Sequence, residues 1–330
     1  MPKTYSRLRG LLFSLMVLAG LPQAVLAYNV PGSAQAHVPE ITEIATGIIV
    51  RSMKDTVRPM REGTGSVQVS TSGTMSAVSA TGGGRTPLSF SVTHRQLDTA
   101  RLDGTLDVAT LFFGARADNG ITYFGGLIGE TGNIRTPMDN GRVKHSGVGL
   151  ALGVDYAVSE RFYLTALVGG LALDYDVARG GGAVTGSFGA TRRFADLSAD
   201  YVTRAAGGDL TLGFGLLYVQ QKHDGYTESG GAAVAPFRFD QLSLSLDARN
   251  TWGHDGAFRP YVDMSAQLKL AGDSSGAGAA TPVHADRQAR LGFGVERSSG
   301  LSFFDAGLGA NFDDDAFSGI DARLNYTLRF

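Results

Sequence analysis

Six histidines, His37, His94, His145, His223, His254 and His284, are the first candidates for chemistry. Zinc ligation would call for histidines at recurrent short spacings, and these six do not supply them. Most fall in expected loops or near strand ends and read as exposed. His223-Asp224 with Asp107 could form a histidine–carboxylate hydrolytic set, but no second paired carboxylate stands at a fixed spacing from them. A Ser–His–Asn set would want an HxS segment, and His94 is followed by Arg95-Gln96. Gly82-Gly83-Gly84 and Gly180-Gly181-Gly182 lack the following Lys-Ser/Thr and the helix of a phosphate cradle, so they read as turns. Asp313-Asp314-Asp315 offers oxygen ligands for a divalent cation, although such a charge run is usually a solvated loop. There is no cysteine, hence no thiol catalysis and no disulfide. The residues specify no catalytic set, no metal centre and no cofactor.

Charge set in a period of two is the stronger signal. Residues 319–330 read GIDARLNYTLRF. Ile320, Ala322, Leu324, Tyr326, Leu328 and Phe330 form one set, and Asp321, Arg323, Asn325, Thr327 and Arg329 the other. Successive strand side chains point to opposite faces, so one face is apolar and the other charged. The same alternation starts at Pro87. Leu88, Phe90 and Val92 oppose serine and threonine, and Leu106, Val108, Thr110 and Phe112 oppose Thr105, Asp107 and Ala109. Val148, Leu150, Leu152, Val154 and Tyr156 oppose glycine, alanine and Asp155. Later strands repeat the pattern, which puts Asp155, Asp174, Asp196, Asp200, Asp247, Asp263, Asp305 and Asp321 on one face with Arg249, Lys269, Arg290 and Arg323. Such charges either tune a pore or pair with one another. Pairing is the expectation, because a helix carrying Arg51, Lys54 and Arg58 precedes the strands.

The elements that must position these charges follow from composition and from the N-terminus. The 330 residues include 46 glycines, and only 18% are charged, as suits many strands and turns. A net charge of −2 implies no attraction to nucleic acid. Lys3, Arg7 and Arg9, the apolar run GLLFSLMVLAGL and the small residues before Tyr28 form a secretory signal over residues 1–27, with cleavage after Ala27. Beyond it, no stretch reaches the roughly 20 consecutive apolar residues of a spanning helix. A membrane protein without such a helix must cross as a closed β-barrel.

Residues 28–39 read as a short linker. Residues 40–62 hold a helix with Ile41, Ile44, Ile48, Ile49, Met53 and Val57 at spacings of three and four, Pro39 at its start and Pro59 at its stop. Periodicity allows this helix on a surface or inside the barrel. Residues 63–85 are rich in glycine, serine and threonine and read as a linker or one weak hairpin. Residues 86–330 divide into about twelve strands, with short turns alternating with longer polar stretches at 132–142, 178–182, 222–236 and 271–284. Segments 121–131, 162–177 and 187–204 alternate poorly. The fold class is thus all-β, a transmembrane antiparallel barrel with an N-terminal α-helix.

The signal, the helix before the strands, the strand count, the run GVGLALGVDYAVSERFYLTALVGG and the terminal LNYTLRF resemble an autotransporter translocator domain of type V secretion. The resemblance covers about residues 40–330. It implies that the helix passes through a twelve-stranded pore and tethers a secreted passenger. It also implies the outer membrane of a Gram-negative bacterium, Sec export, and contact with lipid and lipopolysaccharide. Tyr326, Leu328 and Phe330 would be read by the barrel-assembly machinery. Only residues 28–39 stand before the helix, so the expectation is a barrel with little or no passenger. The alternative is a stand-alone porin-like or structural barrel. An outer-membrane enzyme ranks behind both, and a soluble secreted β-protein would extract without detergent.

Overall fold

A computed structural model describes residues 30–61, 67–72, 75–80, 87–117, 119–253, 257–275, 285–299, 302–314 and 316–329. The signal segment, His254, His284, Gly82-Gly83-Gly84, Asp315 and Phe330 lie outside them. A 3-10 turn, Ser33–His37, leads into helix α1, Val38–Arg61. A two-stranded hairpin follows, β1 (Val67–Ser72) with β2 (Met75–Ala80). The barrel strands come next: β3 (Pro87–Asp98), β4 (Asp103–Arg116), β5 (Ile121–Thr136), β6 (Gly141–Ala157), β7 (Phe162–Arg179), β8 (Val184–Ala205) and β9 (Gly208–His223). Two short strands, β10 (Tyr226–Thr227) and β11 (Ala233–Val234), pair with each other in the connection that follows. The barrel then resumes with β12 (Phe237–Thr251), β13 (Arg259–Ser275), β14 (Arg287–Ser299), β15 (Ser302–Asp313) and β16 (Ala316–Arg329).

Twelve of these strands form one closed antiparallel barrel, and β16 pairs with β3 to shut it, Leu328 against Leu88 and Leu324 against Val92. Closure leaves no strand edge with unpaired backbone groups, as a lipid setting requires. No helix among the described residues is long and apolar enough to cross a membrane. The strands cross instead, and their outer rows carry the exposed apolar residues. On β6 these are Val148, Leu150, Leu152 and Val154, and on β16 they are Ile320, Leu324 and Tyr326.

The polar stretches at 132–142 and 178–182 are not long loops. β5, β6, β7 and β8 run on through them and meet at tight turns, so that β8 reaches 22 residues. A tilted strand spans the bilayer in about 9–11 residues, so one end of this wall stands well clear of the apolar band. Glycine makes the inner wall compatible with a guest. A side chain at Gly153 would collide with the Phe124 ring from β5, and one at Gly169 with the Phe194 ring from β8. The tip of each ring occupies the space that its neighbour's glycine leaves free. Gly153→Val and Gly169→Val are each expected to cost about 1–3 kcal/mol of stability by overpacking. Urea unfolding in detergent reads this out, and unchanged midpoints would show that the rings have slack.

Candidate functional site

The lumen is filled by α1. The apolar stripe expected from periodicity is present and fully buried, with Ile41, Ile49, Met53 and Val57 all at 0% exposure. It belongs to one apolar cluster with Leu106, Val108 and Phe112 of β4, Phe124 and Ile128 of β5, and Leu167 and Leu171 of β7. Each such side chain taken out of water contributes about 1.5–3 kcal/mol, which makes this seam the main adhesion of helix to wall.

That seam corrects the assignment of faces. Leu106, Val108, Thr110 and Phe112 point inward, while Leu111 and Phe113 face out. On β7 Leu171, Leu173 and Tyr175 are inside, and Asp174 is exposed on the outer face rather than in the lumen. Where the wall receives the helix's apolar stripe, both of its faces are apolar or small and the alternation fades.

The helix's polar side faces β3, β8, β9 and β12–β16. Arg51 donates to Ser265 Oγ, and Lys54 lies 3.5 Å from Asp196. Ser52 and Thr56 meet Ser91 and Ser89 of β3 at 3.2 and 3.1 Å. Asp55 accepts from Arg323, and Arg58 donates to Asp55 within the helix at 3.1 Å. Behind these contacts the wall is itself paired. Arg290 grips both oxygens of Asp321 at 2.8 Å and also reaches Asp263. Arg249 lies over the Tyr261 ring, bonds Asp305 at 2.7 Å and also pairs with Glu296. A cavity of about 150 Å³ remains between the polar side of α1 and this wall. The expected lumen residues Asp247, Arg249, Asp263, Arg290, Asp321 and Arg323 line it, together with Arg51, Lys54 and Arg58 of the helix. Bidentate, charge-assisted pairs fix geometry as well as neutralise charge, so the polar half of the lumen sets where the helix sits along and around its axis.

Sequence reading missed the residues that hold the helix ends. Arg61 was absent from the expected charges, yet it donates to Asp155 at 2.8 and 3.1 Å and to Asp200 at 2.7 Å, and it lies over the Tyr163 ring. Its position four residues after Val57 continues the helical period and was the available signal. α1 runs two residues past Pro59 because these contacts, and the burial of Met60, retain its last turn. At the other end, Glu228 joins Arg179 at 2.6 and 3.1 Å and accepts the Gly32 N–H at 3.1 Å. Burial alone would raise the Glu228 carboxyl, but Arg179 and the Gly32 N–H outweigh it and hold it below the ordinary glutamate range. This grip is therefore complete at neutral pH and fails only in acid. Gln35 contacts His223 Nδ1 at 3.2 Å, and Ser33 contacts Asp139 at 3.4 Å.

His37, His145 and His223 are buried, not exposed loop residues. His145, Tyr175, Phe188, His223, Tyr226 and Phe237 stack across neighbouring strands, with centroids 5.0–5.4 Å apart where rings are parallel. A ring sandwiched in this way, with its nitrogen on Gln35, positions the turn before the helix. Among the described residues no group of histidines and carboxylates is arranged to hold a metal. Asp314 Oδ1 instead accepts the backbone N–H of Asp286 and Arg287. His94 and Asp107 pair at 2.7 Å on the outer face, well away from His223. Asp155 and Asp305 are buried inside, Tyr326 is exposed on the outer face, and Leu328 is half-buried in the same outer row.

The helix therefore has a direction. Its N-terminal end meets the turn at Asp139 and the β9–β12 connection, where the longer connections gather. Its C-terminal end meets Asp155, Asp200 and Arg116, next to the short turns and to the start of β3.

The family model described as autotransporter beta-domain matches residues 94–323. Among solved structures, the translocator domain of autotransporter NalP from Neisseria meningitidis aligns with a TM-score of 0.65 at 15% identity, over 74% of this chain and 89% of that one. The beta domain of the Bordetella autotransporter BrkA aligns at 0.52 and 17% identity, over 74% and 99%. The transport unit of AIDA-I from Escherichia coli aligns at 0.51 and 14%, over 74% and 90%. No curated protein matches in sequence.

Proposed function

The chain belongs to the autotransporter β-domain family, and on that premise we propose that its outer-membrane barrel carries the segment before α1 to the cell exterior and anchors it there. The direction of α1 carries this reading. The backbone enters the lumen from the end with longer connections and leaves it at the short-turn end, where β3 begins. Short turns on the periplasmic side and longer connections outside are the habit of such barrels. Residues before Gly32 then lie outside, although their chain was exported from the other side. The expected domain limits fit this use: signal 1–27, segment 28–39, pore helix 40–62, connection 63–85 and barrel 86–330. The charges of Arg51, Lys54, Asp55 and Arg61 act as the seat that stops the helix in register once transport ends. The barrel is then a conduit and anchor, not a catalyst. Its partners are the Sec and barrel-assembly machineries, membrane lipid, and a polypeptide attached before the helix.

An epitope inserted between residues 29 and 30 tests this. It is expected to be stained by antibody on intact cells, whereas one inserted at residue 207, in the β8–β9 turn, is stained only after the outer membrane is opened. The reverse pattern would refute the reading. In planar bilayers, the barrel lacking residues 28–63 is expected to conduct several-fold more than the full chain. Equal conductance would show that α1 does not seal the lumen.

A further inference from the structure

The outer face of β5 and β6 holds an arrangement that the lumen does not explain. Arg135 and Arg142 are direct register partners, and Lys144 sits one step further along β6 on the same face. Like charges directly opposite one another in a ladder destabilise it. Arg135 is relieved by Asp103 at 2.5 Å, with its side chain still 70% exposed. Arg142 donates to the neutral Asn133 at 2.7 Å, and Lys144 makes no ion pair among the described residues, although Asp176 is its register partner on β7.

Height places these cations. The outer row of β6 reads Tyr156, Val154, Leu152, Leu150, Val148, then Ser146, Lys144 and Arg142. Tyr156 to Ser146 is ten residues, about 33 Å of strand, and at a tilt near 40° about 25 Å along the membrane normal. That is the height of a barrel's apolar band. Lys144 lies about 5 Å above it and Arg142 about 5 Å higher again, the level of lipid headgroups. Below them, Val148 and Leu150 form an exposed ridge. Ala172 and Gly170 flank the ridge on the β7 side, so a shallow furrow runs down that side, while on the β5 side Gly129 leaves a notch beside Val148 that exposed Leu127, opposite Leu150, closes below. A side chain at Gly129 would meet nothing closer than 4.0 Å.

We propose that Arg135, Arg142 and Lys144 bind the phosphate-bearing headgroup of an outer-leaflet lipid whose acyl chain lies in the β7-side furrow beside Val148 and Leu150. The site rests on the reading that the end with longer connections faces outside. Phosphate oxygens would bridge the opposed arginines and turn a repulsive pair into a shared anion site. The furrow distinguishes a lipid from a free anion, which has nothing to place there.

The test uses the full-length barrel in nonionic detergent. It is titrated with bisphosphorylated lipid A, with lipid A stripped of phosphate, and with inorganic phosphate, reading bound lipid by native mass spectrometry and melting by light scattering. Bisphosphorylated lipid A is expected to bind and to raise the melting temperature. The triple variant Arg135→Gln/Arg142→Gln/Lys144→Gln is expected to lose at least about ten-fold in affinity. Arg204→Gln, whose side chain is 92% exposed at the opposite end, is expected to bind like the parent. Heat-modifiable mobility of each variant shows that the barrel is folded. Equal affinity of the triple variant, or equal binding of phosphate-free lipid, would overturn the proposal. Inorganic phosphate competing as well as lipid A would reduce the patch to a free-anion site and overturn its lipid assignment. The two failures are distinguishable: loss of lipid A binding leaves the epitope result and the orientation standing, whereas a reversed epitope pattern removes the outer-leaflet assignment whatever the titration shows.

Discussion

Replacing Arg323 with alanine is expected to unseat α1 and to cost about 3–5 kcal/mol, the usual penalty for stranding a buried charge. Arg323 is buried, bonds Asp55 of the helix, lies 3.3 Å from Asp305 and donates to the Tyr261 hydroxyl at 3.1 Å. Its removal leaves Arg58 as the direct ion-pair partner of Asp55 among the described residues, and Arg58 is partly exposed. Asp55→Asn in the same background is expected to return part of the loss, because the stranded carboxylate is gone. A double-mutant cycle in urea, with protease access to residues 38–61 as the second readout, measures this. A loss under about 1 kcal/mol, as for surface pairs, would show that the apolar seam alone seats the helix.

The second large effect concerns the terminal strand. Phe330→Asp is expected to cut the yield of membrane-assembled barrel by about ten-fold, with Arg204→Gln unaffected. An acidic residue near the membrane interface costs only about 1 kcal/mol or less, too little to account for such a loss through the stability of the finished barrel. A ten-fold deficit in yield with a nearly unchanged urea midpoint would therefore report recognition during assembly. Ile320, Leu324 and Tyr326 face outward on β16, and in the sequence Phe330 has the same parity. Equal assembly of the two variants would remove the proposed role of Tyr326, Leu328 and Phe330. His223→Ala is a poor control, because His223 is buried beneath Gln35 in the ring stack.

The barrel was legible in the sequence where its two faces differ in chemistry. On β16, with Leu324 against Arg323, or β15, with Leu308 against Asp305, lipid and lumen demand opposite residues and the period of two is plain. It fades on β5 and β7, where the inner face must match Ile41, Ile49 and Val57 and so turns apolar too. The face of Leu106 and Val108 was misjudged for this reason. The helix itself was legible from its three-and-four spacing; its place inside the barrel came from the family resemblance and not from the period, since an amphipathic surface helix has the same one. Glu130 with Arg192, joined at 2.6 and 3.0 Å across the wall, and Glu228 with Arg179 had no local signal. Their partners lie 62 and 49 positions apart, and such pairings depend on strand register rather than on neighbouring residues.

One consequence of the closed β16–β3 ladder is mechanical. A helix threaded through a ring that has no open seam is an axle in a wheel. Its inner end is fastened to the wheel through the connection to β3. Once a folded body wider than the lumen sits beyond Gly32, it serves as a stopper. The axle then cannot be withdrawn without unfolding that body, breaking the ladder or cutting the chain. Retention is thus set by topology, and the ion pairs along α1 decide only where the axle rests. A variant with every lumen charge neutralised would lose the resting place of the axle, yet still hold its cargo.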